Sequence, residues 1–348
     1  MLTADTAAPV RVMLCDDSAV ARGALTRLLA ADAAIRVTAW ASDGAEALSR
    51  IADDPVDVVV LDVEMNGMDG LTALPLLLRA RPSLRVIMVS AVTTRGAHAT
   101  LMALRLGAVD CIAKPGASAS SQEEFERELP RKIKGLARPA RLPDVFSRRE
   151  EGCAAPPSLL AVGSSTGGPQ ALFSLIKGLG RNLPVPVVLT QHIPASFVPL
   201  LADQLTRLGG TPCHVARDDE ALLPGHAYLA IGNRHLVITG SRRQPRARLS
   251  DGPPENFCRP SVDTMLRGAV QVYGGRVLVA MLTGMGQDGL AGTRAVVAAG
   301  GCALAQDEAS SVVWGMPGAI AMEGLCHDVL HLTDLPCRLL GLIGAGPR

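Results

Sequence analysis

Leu159-Leu160-Ala161-Val162-Gly163-Ser164-Ser165-Thr166-Gly167-Gly168-Pro169 reads as a strand, a tight turn and the start of a helix. The apolar run predicts a strand ending at Gly163. Small residues then reverse the chain, and Pro169 suits the first helical position, where its missing N–H removes no hydrogen bond. Strand–turn–helix is the building unit of an α/β sheet. It also sets a serine hydroxyl at the sheet edge beside a helix N-terminus, where backbone N–H groups stabilise a developing oxyanion. The spacing Gly163-x-Ser165-x-Gly167 is the G-x-S-x-G of serine hydrolases, with Ser165 as nucleophile. The same turn suits a bound phosphate or a plain chain reversal, so the surrounding sequence has to decide.

The chain has 348 residues, enough for two domains with full cores, and its 48% apolar and 19% charged content excludes a disordered protein. A formal net charge of +1 provides no global attraction to nucleic acid or to an anionic membrane. The eight cysteines are scattered, with no C-x-x-C and no ligand-like cluster. They read as reduced, mostly buried thiols, not as a disulfide framework or a zinc site. The N-terminal stretch contains Asp5 and lacks a basic-then-apolar signal segment, and no apolar run reaches the roughly 18–20 residues that span a bilayer. These features predict a soluble, cytoplasmic protein.

Residues 10 to about 115 alternate β-branched runs (Val10–Cys15, Arg36–Ala41, Val56–Leu61, Leu84–Val89, Ala108–Ile112) with segments of helical period. Five strands alternating with helices predict a doubly wound parallel sheet, whose ligands gather at the C-terminal strand ends. Asp16 and Asp17 follow the first strand there, Asp62 the third, Ser90 ends the fourth, and Lys114-Pro115 ends the fifth. Carboxylates brought together repel unless a cation sits among them, and hard oxygen donors on an open site suit Mg²⁺.

Cys-Asp-Asp-Ser, Leu-Asp-Val-Glu-Met-Asn-Gly-Met-Asp-Gly, Val-Ser-Ala and Ala-Lys-Pro, in that order, resemble the receiver domain of bacterial response regulators. The resemblance spans residues 1–121. It implies that Asp62 accepts a phosphoryl group from a histidine kinase, and that Mg²⁺ is held by Asp17, by Asp16 through water, by Asp62 and by the Glu64 backbone carbonyl. Ser90 and Lys114 are then the contacts to the phosphoryl oxygens. Cys111 stands where receivers often carry an aromatic switch residue, so signalling by an aromatic rotamer change is not expected.

Residues 122–157 read as a charged helix to about Ala137 followed by a linker rich in prolines and mixed charges. The basic bias of residues 131–149 lacks interleaved aromatics, so a solvated linker is expected and not a nucleic-acid surface.

A second α/β alternation occupies residues 158–348. Strands are predicted at Leu159–Gly163, Val185–Thr190, Ala227–Ala230, Leu236–Thr239, Arg276–Leu282 and Gly301–Ala305. The expected architecture is a mainly parallel, Rossmann-like sheet with an antiparallel hairpin around Tyr228–Ile238. A nucleophilic Ser165 needs a base and an orienting acid at neighbouring strand ends. His192 follows the strand ending near Thr190, and Asp288 lies in the glycine-rich turn Thr283–Gly289 after the strand ending at Leu282. His214, His226, His235, His327 and His331 are rivals without that placement. The order Ser–His–Asp differs from the Ser–Asp–His of α/β-hydrolases. With neither a P-loop lysine nor G-x-G-x-x-G at the turn, no cofactor is expected for a hydrolysis at Ser165.

Gly-Ser-Ser-Thr-Gly-Gly-Pro, Gln-His-Ile, Arg-Pro-Ser-Val-Asp, Leu-Thr-Gly-Met-Gly-Gln-Asp-Gly and Ala-Gln-Asp-Glu-Ala-Ser-Ser-Val-Val-Trp-Gly-Met-Pro-Gly-Ala-Ile occur collinearly. With the receiver motifs, they resemble the chemotaxis protein-glutamate methylesterase (CheB) family over nearly the whole chain. The resemblance implies Ser165 as nucleophile, His192 as general base and Asp288 as its orienting partner. It further implies that Thr166 assists at the nucleophile turn and that the Met285 backbone N–H serves the oxyanion hole. Ser164 replaces the alanine common in the family and adds a rival hydroxyl. The implied reaction is hydrolysis of methyl-glutamate esters on cytoplasmic helices of chemoreceptors, with deamidation of receptor glutamines. The membrane is approached only through receptors, and phosphorylation of Asp62 relieves obstruction of the Ser165 site. A receiver-gated adaptor without catalysis and a hydrolase of small free esters are the competing readings. A histidine base near its ordinary pKa predicts that kcat/KM rises through roughly pH 6–7.

Overall fold

The computed structural model describes residues 8–91, 93–116, 118–137 and 153–344. The chain divides into two compact units, Met1–Pro139 and Ala140–Arg348.

The first unit runs β1 (Val10–Cys15), α1 (Ala19–Ala30), β2 (Ile35–Ala41), α2 (Gly44–Asp53), β3 (Val58–Asp62), α3 (Gly70–Ala80), β4 (Arg85–Ser90), α4 (Thr94–Leu106), β5 (Asp110–Ala113) and α5 (Ala119–Ala137). Its five strands form a parallel sheet of order β2-β1-β3-β4-β5. All of Val58-Val59-Val60-Leu61-Asp62 is buried, as expected of a central strand covered by helices on both faces. Helix α5 starts before the expected Gln122 and packs on this unit through buried Phe125, Leu129, Ile133 and Leu136. Buried Lys132 pins it, with Nζ 2.7 Å from Asp110 on β5 and 3.1 Å from Glu128. Residues 138–152, most of the expected linker, lie outside the described residues.

The second unit contains β6 (Leu159–Ser164), α6 (Gly168–Leu179), β7 (Val187–Gln191), α7 (Val198–Gly209), β8 (Cys213–Val215), β9 (Glu220–Ala221), β10 (Ala227–Leu229), β11 (His235–Ser241), β12 (Gln244–Ser250), α8 (Val262–Tyr273), β13 (Val277–Met281), α9 (Leu290–Ala298), β14 (Cys302–Gln306), α10 (Gly315–Met322), β15 (Asp328–Leu330) and α11 (Leu335–Leu342). Seven parallel strands lie in the order β15-β14-β13-β6-β7-β10-β8. The chain winds one way from β6 to β7 and later returns to place β13 on the other side of β6. That reversal is a topological switch point, where the loops after neighbouring strands part and leave a crevice.

Two expectations are corrected here. The hairpin is not at Tyr228–Ile238: Tyr228 sits in β10, parallel to β7 and β8, and the antiparallel pair is β11 with β12, to which β9 adds. The turn chemistry after Tyr228 marks a crossover out of the main sheet. The cysteines are also not all free, because Cys153 and Cys302 form a disulfide. The segment before β6 runs back beside β14, with Ala154 N donating to Gly300 O at 3.2 Å. A separation of 149 residues leaves no spacing signature for that pair.

Candidate active site

Three adjacent strands, β13-β6-β7, bring Asp288, Ser165 and His192 to one edge of the second sheet. Every residue of β6 is buried, so Ser165 leaves a rigid support. The turn depends on glycine at two positions. Gly167 adopts φ +76°, and a Cβ at Gly168 would stand 2.0 Å from Gln191 Oε1. Ser165 N donates to Thr283 O at 3.0 Å, and Ser165 O accepts from Gly168 N at 2.7 Å. The Gln191 amide clamps the turn: Nε2 donates to the carbonyls of Ser165 and His192, both at 2.9 Å, and Oε1 accepts from Ser164 Oγ at 2.6 Å. The Ser164 hydroxyl is therefore fully buried and engaged. Ser165 Oγ makes no hydrogen bond to the described residues.

His192 follows β7 directly, tied by its N–H to Ser164 O at 3.1 Å. Its imidazole Nε2 lies 2.9 Å from Asp288 Oδ2, and its Nδ1 lies 3.7 Å from Cys258 Sγ. Asp288 is 2% exposed. A buried carboxylate needs compensation, and it comes from the first turn of α8. Ser261 Oγ donates to Oδ1 at 2.7 Å, Val262 N to Oδ2 at 2.8 Å and Asp263 N to Oδ1 at 3.2 Å. The positive end of the helix dipole reinforces these bonds. Burial pushes the Asp288 carboxyl up, but His192 and the α8 donors outweigh it and hold the group below the ordinary carboxylate range. Burial works against a charged His192, yet the neighbouring Cys258 sulfur and the Asp288 hydrogen bond prevail, and its pKa is pushed up to about 10.

The loop before Asp288 is braced from the far side. Thr283 N donates to Gln306 Oε1 at 2.8 Å, and Thr283 Oγ1 lies 2.9 Å from Thr166 O. Trp314 Nε1 donates to Gln306 O at 2.6 Å, and Met316 N to Gly284 O at 2.8 Å. The Met285 N–H, in the same loop, makes no hydrogen bond to the described residues and stays available to a ligand. The rival histidines are occupied elsewhere. His214 meets Glu220 at 2.8 Å, the His226 ring packs near those of His214 and Tyr228, His235 Nδ1 accepts from Ser261 N at 3.1 Å, His327 Nδ1 accepts from Ala303 N at 3.2 Å, and His331 lies beside Thr333. The sequence reading singled out neither the Gln191 clamp nor the Ser261 donor, although both lie in the motifs quoted above. Cys258 carried no signal at all.

In the first unit, Asp16, Asp17 and Asp62 each offer a carboxylate oxygen, and these oxygens all lie within 4.8 Å of one another. Lys114 Nζ reaches Asp62 Oδ2 at 2.5 Å and Asp16 Oδ2 at 3.3 Å. Burial raises the Asp62 pKa, and Lys114 only partly counters that. Asp17 is exposed and accepts from Asn66 N and Nδ2 at 3.2 and 2.8 Å. Glu64 N lies 3.4 Å from Asp62 Oδ1. Ser90 is buried at the end of β4, and its carbonyl accepts from Lys114 N at 2.7 Å. Three hard oxygen donors beside one ammonium fit a divalent cation of the Mg²⁺ type.

Residues 160–339 match the family described as CheB methylesterase, and residues 12–125 the response regulator receiver domain. The chain is 45% identical over 358 residues to a protein-glutamate methylesterase/protein-glutamine glutaminase of Azospirillum brasilense, covering 94% of this chain and 91% of that protein. It is 43% identical to one of Rhodospirillum centenum, over 94% and 92% of the two chains. The CheB methylesterase catalytic domain of Thermotoga maritima superposes with a TM-score of 0.52 at 34% identity, covering 54% of this chain and 100% of that one. With strands, crevice and matches in agreement over both units, the chain belongs to the CheB methylesterase family and carries a response regulator receiver domain at its N-terminal end.

Proposed function

We propose that this chain is a phosphorylation-activated serine esterase that hydrolyses methyl-glutamate side chains, and deamidates glutamines, on cytoplasmic helices of chemoreceptors. The observation that carries the reading is the Asp288–His192 contact, set by the first turn of α8, on the strand ends flanking Ser165.

Ser165 Oγ attacks the γ-carbonyl carbon. Asp288 holds His192 Nε2, so Nδ1 is the nitrogen that takes the serine proton. The imidazole swings from Cys258 toward Ser165 as the substrate is seated, since catalytic hydrogen bonds often close only in the loaded site. Negative charge on the carbonyl oxygen is received by the Met285 N–H, with Thr166 supporting the turn. Collapse of the tetrahedral intermediate expels methanol, or ammonia from glutamine, with the proton returned by His192. Water, activated by the same base, then releases glutamate and restores Ser165. The Asp288 carboxylate stabilises the imidazolium at each transfer.

The receiver reading rests on the acidic crevice. Asp62 accepts the phosphoryl group from a histidine kinase. Asp16, Asp17, Asp62 and the Glu64 carbonyl would hold Mg²⁺, which would supply neutralisation of phosphoryl charge, while Ser90 and Lys114 hold the phosphoryl oxygens. A receptor-demethylation assay tests the whole proposal: release of methanol from methylated receptor membranes is expected of the wild-type chain and not of Ser165→Ala. Equal release by both would overturn it.

A further inference from the structure

Cys258 Sγ stands 3.7 Å from His192 Nδ1, although 66 residues separate them in sequence. The loop that delivers Cys258 is pinned by the Glu255–Cys258 backbone pair, at 3.1 and 2.7 Å. Cys258 is half-buried, and the His192 side chain is 13% exposed. One oxygen of Asp288 lies beside them, in a His–Cys–Asp cluster whose donor atoms are within 4.8 Å of one another.

The geometry points to a binding site for a thiophilic divalent ion of the Zn²⁺ type at Cys258 and His192, whose occupancy shuts off the esterase. Zinc bonds of about 2.3 Å to sulfur and about 2.0 Å to nitrogen, at a tetrahedral angle, place the two donors about 3.5 Å apart. The observed 3.7 Å needs almost no adjustment. Asp288 does not coordinate through the same ring face, because it already holds Nε2 at 2.9 Å. It is instead the outer carboxylate of a carboxylate–histidine–zinc arrangement, which fixes the tautomer and raises the basicity of Nδ1. Water fills the remaining positions. Soft sulfur selects zinc or cobalt over magnesium, leaving Mg²⁺ to the all-oxygen crevice of the receiver unit. With Nδ1 committed to the ion, His192 has no nitrogen left for the Ser165 proton. This consequence rests on His192 being the base; the binding itself does not.

The experiment uses the full-length chain with cobalt(II) chloride alone and zinc chloride alone. Cobalt should give a thiolate charge-transfer band in the near ultraviolet that zinc displaces. The band should be absent from Cys258→Ala and weakened in His192→Ala. Receptor demethylation by the wild type should be inhibited by micromolar zinc and restored by a chelator, while magnesium has no such effect. Relative to its own zinc-free rate, Cys258→Ala should need at least about tenfold more zinc, since even an outer partner of a metal site is worth ten- to hundredfold in affinity. A band that persists in Cys258→Ala would come from another thiol, such as exposed Cys337, and would overturn the site. A band that vanishes in Cys258→Ala, with no inhibition of the wild type, would uphold the metal site and remove His192 as the base.

Discussion

At the scale of single residues, the two serines of the turn are separated by what their hydroxyls touch. Ser164 Oγ is locked on Gln191, whereas Ser165 Oγ makes no hydrogen bond to the described residues. Ser165→Ala is therefore expected to lower receptor demethylation by about 10³-fold or more. Ser164→Ala should keep most of the rate, because the Gln191 clamp still holds two carbonyls. Methanol release by the two variants decides the nucleophile, and the reverse ranking would move it to Ser164. As the proposed base, His192 would set the pH dependence. Its pKa is pushed up to about 10, so the imidazolium persists well above the ordinary range. The neutral base appears only as pH climbs through the raised value, which carries the rise in kcat/KM from the expected pH 6–7 to the alkaline side. The same raised value favours the folded chain at low pH, and that stabilisation is lost as pH rises through about 10. A kcat/KM profile already level by pH 7, with chemistry rate-limiting, would contradict this placement.

At the scale of elements, helix α8 does two jobs at its first turn. Ser261 is its N-cap, with Oγ 3.5 Å from Thr264 N, and it also donates to Asp288. Ser261→Ala should cost about 1 kcal/mol of stability through the lost cap. It should also lower kcat about tenfold, because a buried carboxylate loses a charge-assisted bond worth about 1.5–3 kcal/mol, part of which Val262 and Asp263 can still supply. Thermal melting and steady-state kinetics read the two effects separately, and a kcat unchanged beside a lowered Tm would confine Ser261 to capping. Elements also show what sequence makes legible. Val58–Asp62 and Val277–Met281 are buried on both faces, so unbroken apolar runs announced them. Three-residue β8 and β15 are too short for a pattern, and polar β12 contains Pro245, which argues against a strand until β11 supplies its partner. Strand-end placement singled out His192 and Asp288, which the structure brings within 2.9 Å of each other. The contacts that support them were not legible, because Ser261–Asp288 and Cys258–His192 join residues 27 and 66 apart.

At the scale of the whole molecule, two compact units divide the chemistry: an all-oxygen crevice that suits Mg²⁺ and phosphoryl transfer, and a Ser165–His192–Asp288 centre whose proposed mechanism calls on neither. A chelator is therefore expected to abolish phosphorylation by a small phosphodonor, while leaving a fragment spanning residues 140–348 fully active. That boundary keeps Cys153 with Cys302, whereas a fragment beginning near Pro157 would lose the disulfide. If the unphosphorylated receiver restrains the esterase, this fragment should outrun the full chain several-fold, a bias of only about 1–2 kcal/mol. Phosphodonor with Mg²⁺ should lift the full chain toward the fragment's rate, since Asp62 would gain close to two negative charges beside the cation. Asp62→Asn should stay at the low rate under both conditions, because its neutral amide cannot accept the phosphoryl group. The measurement is receptor demethylation by the three proteins with and without phosphodonor. A fragment slower than the unphosphorylated full chain would reverse the logic. The receiver would then be delivering the esterase to its substrate, and Asp62→Asn should retain that benefit.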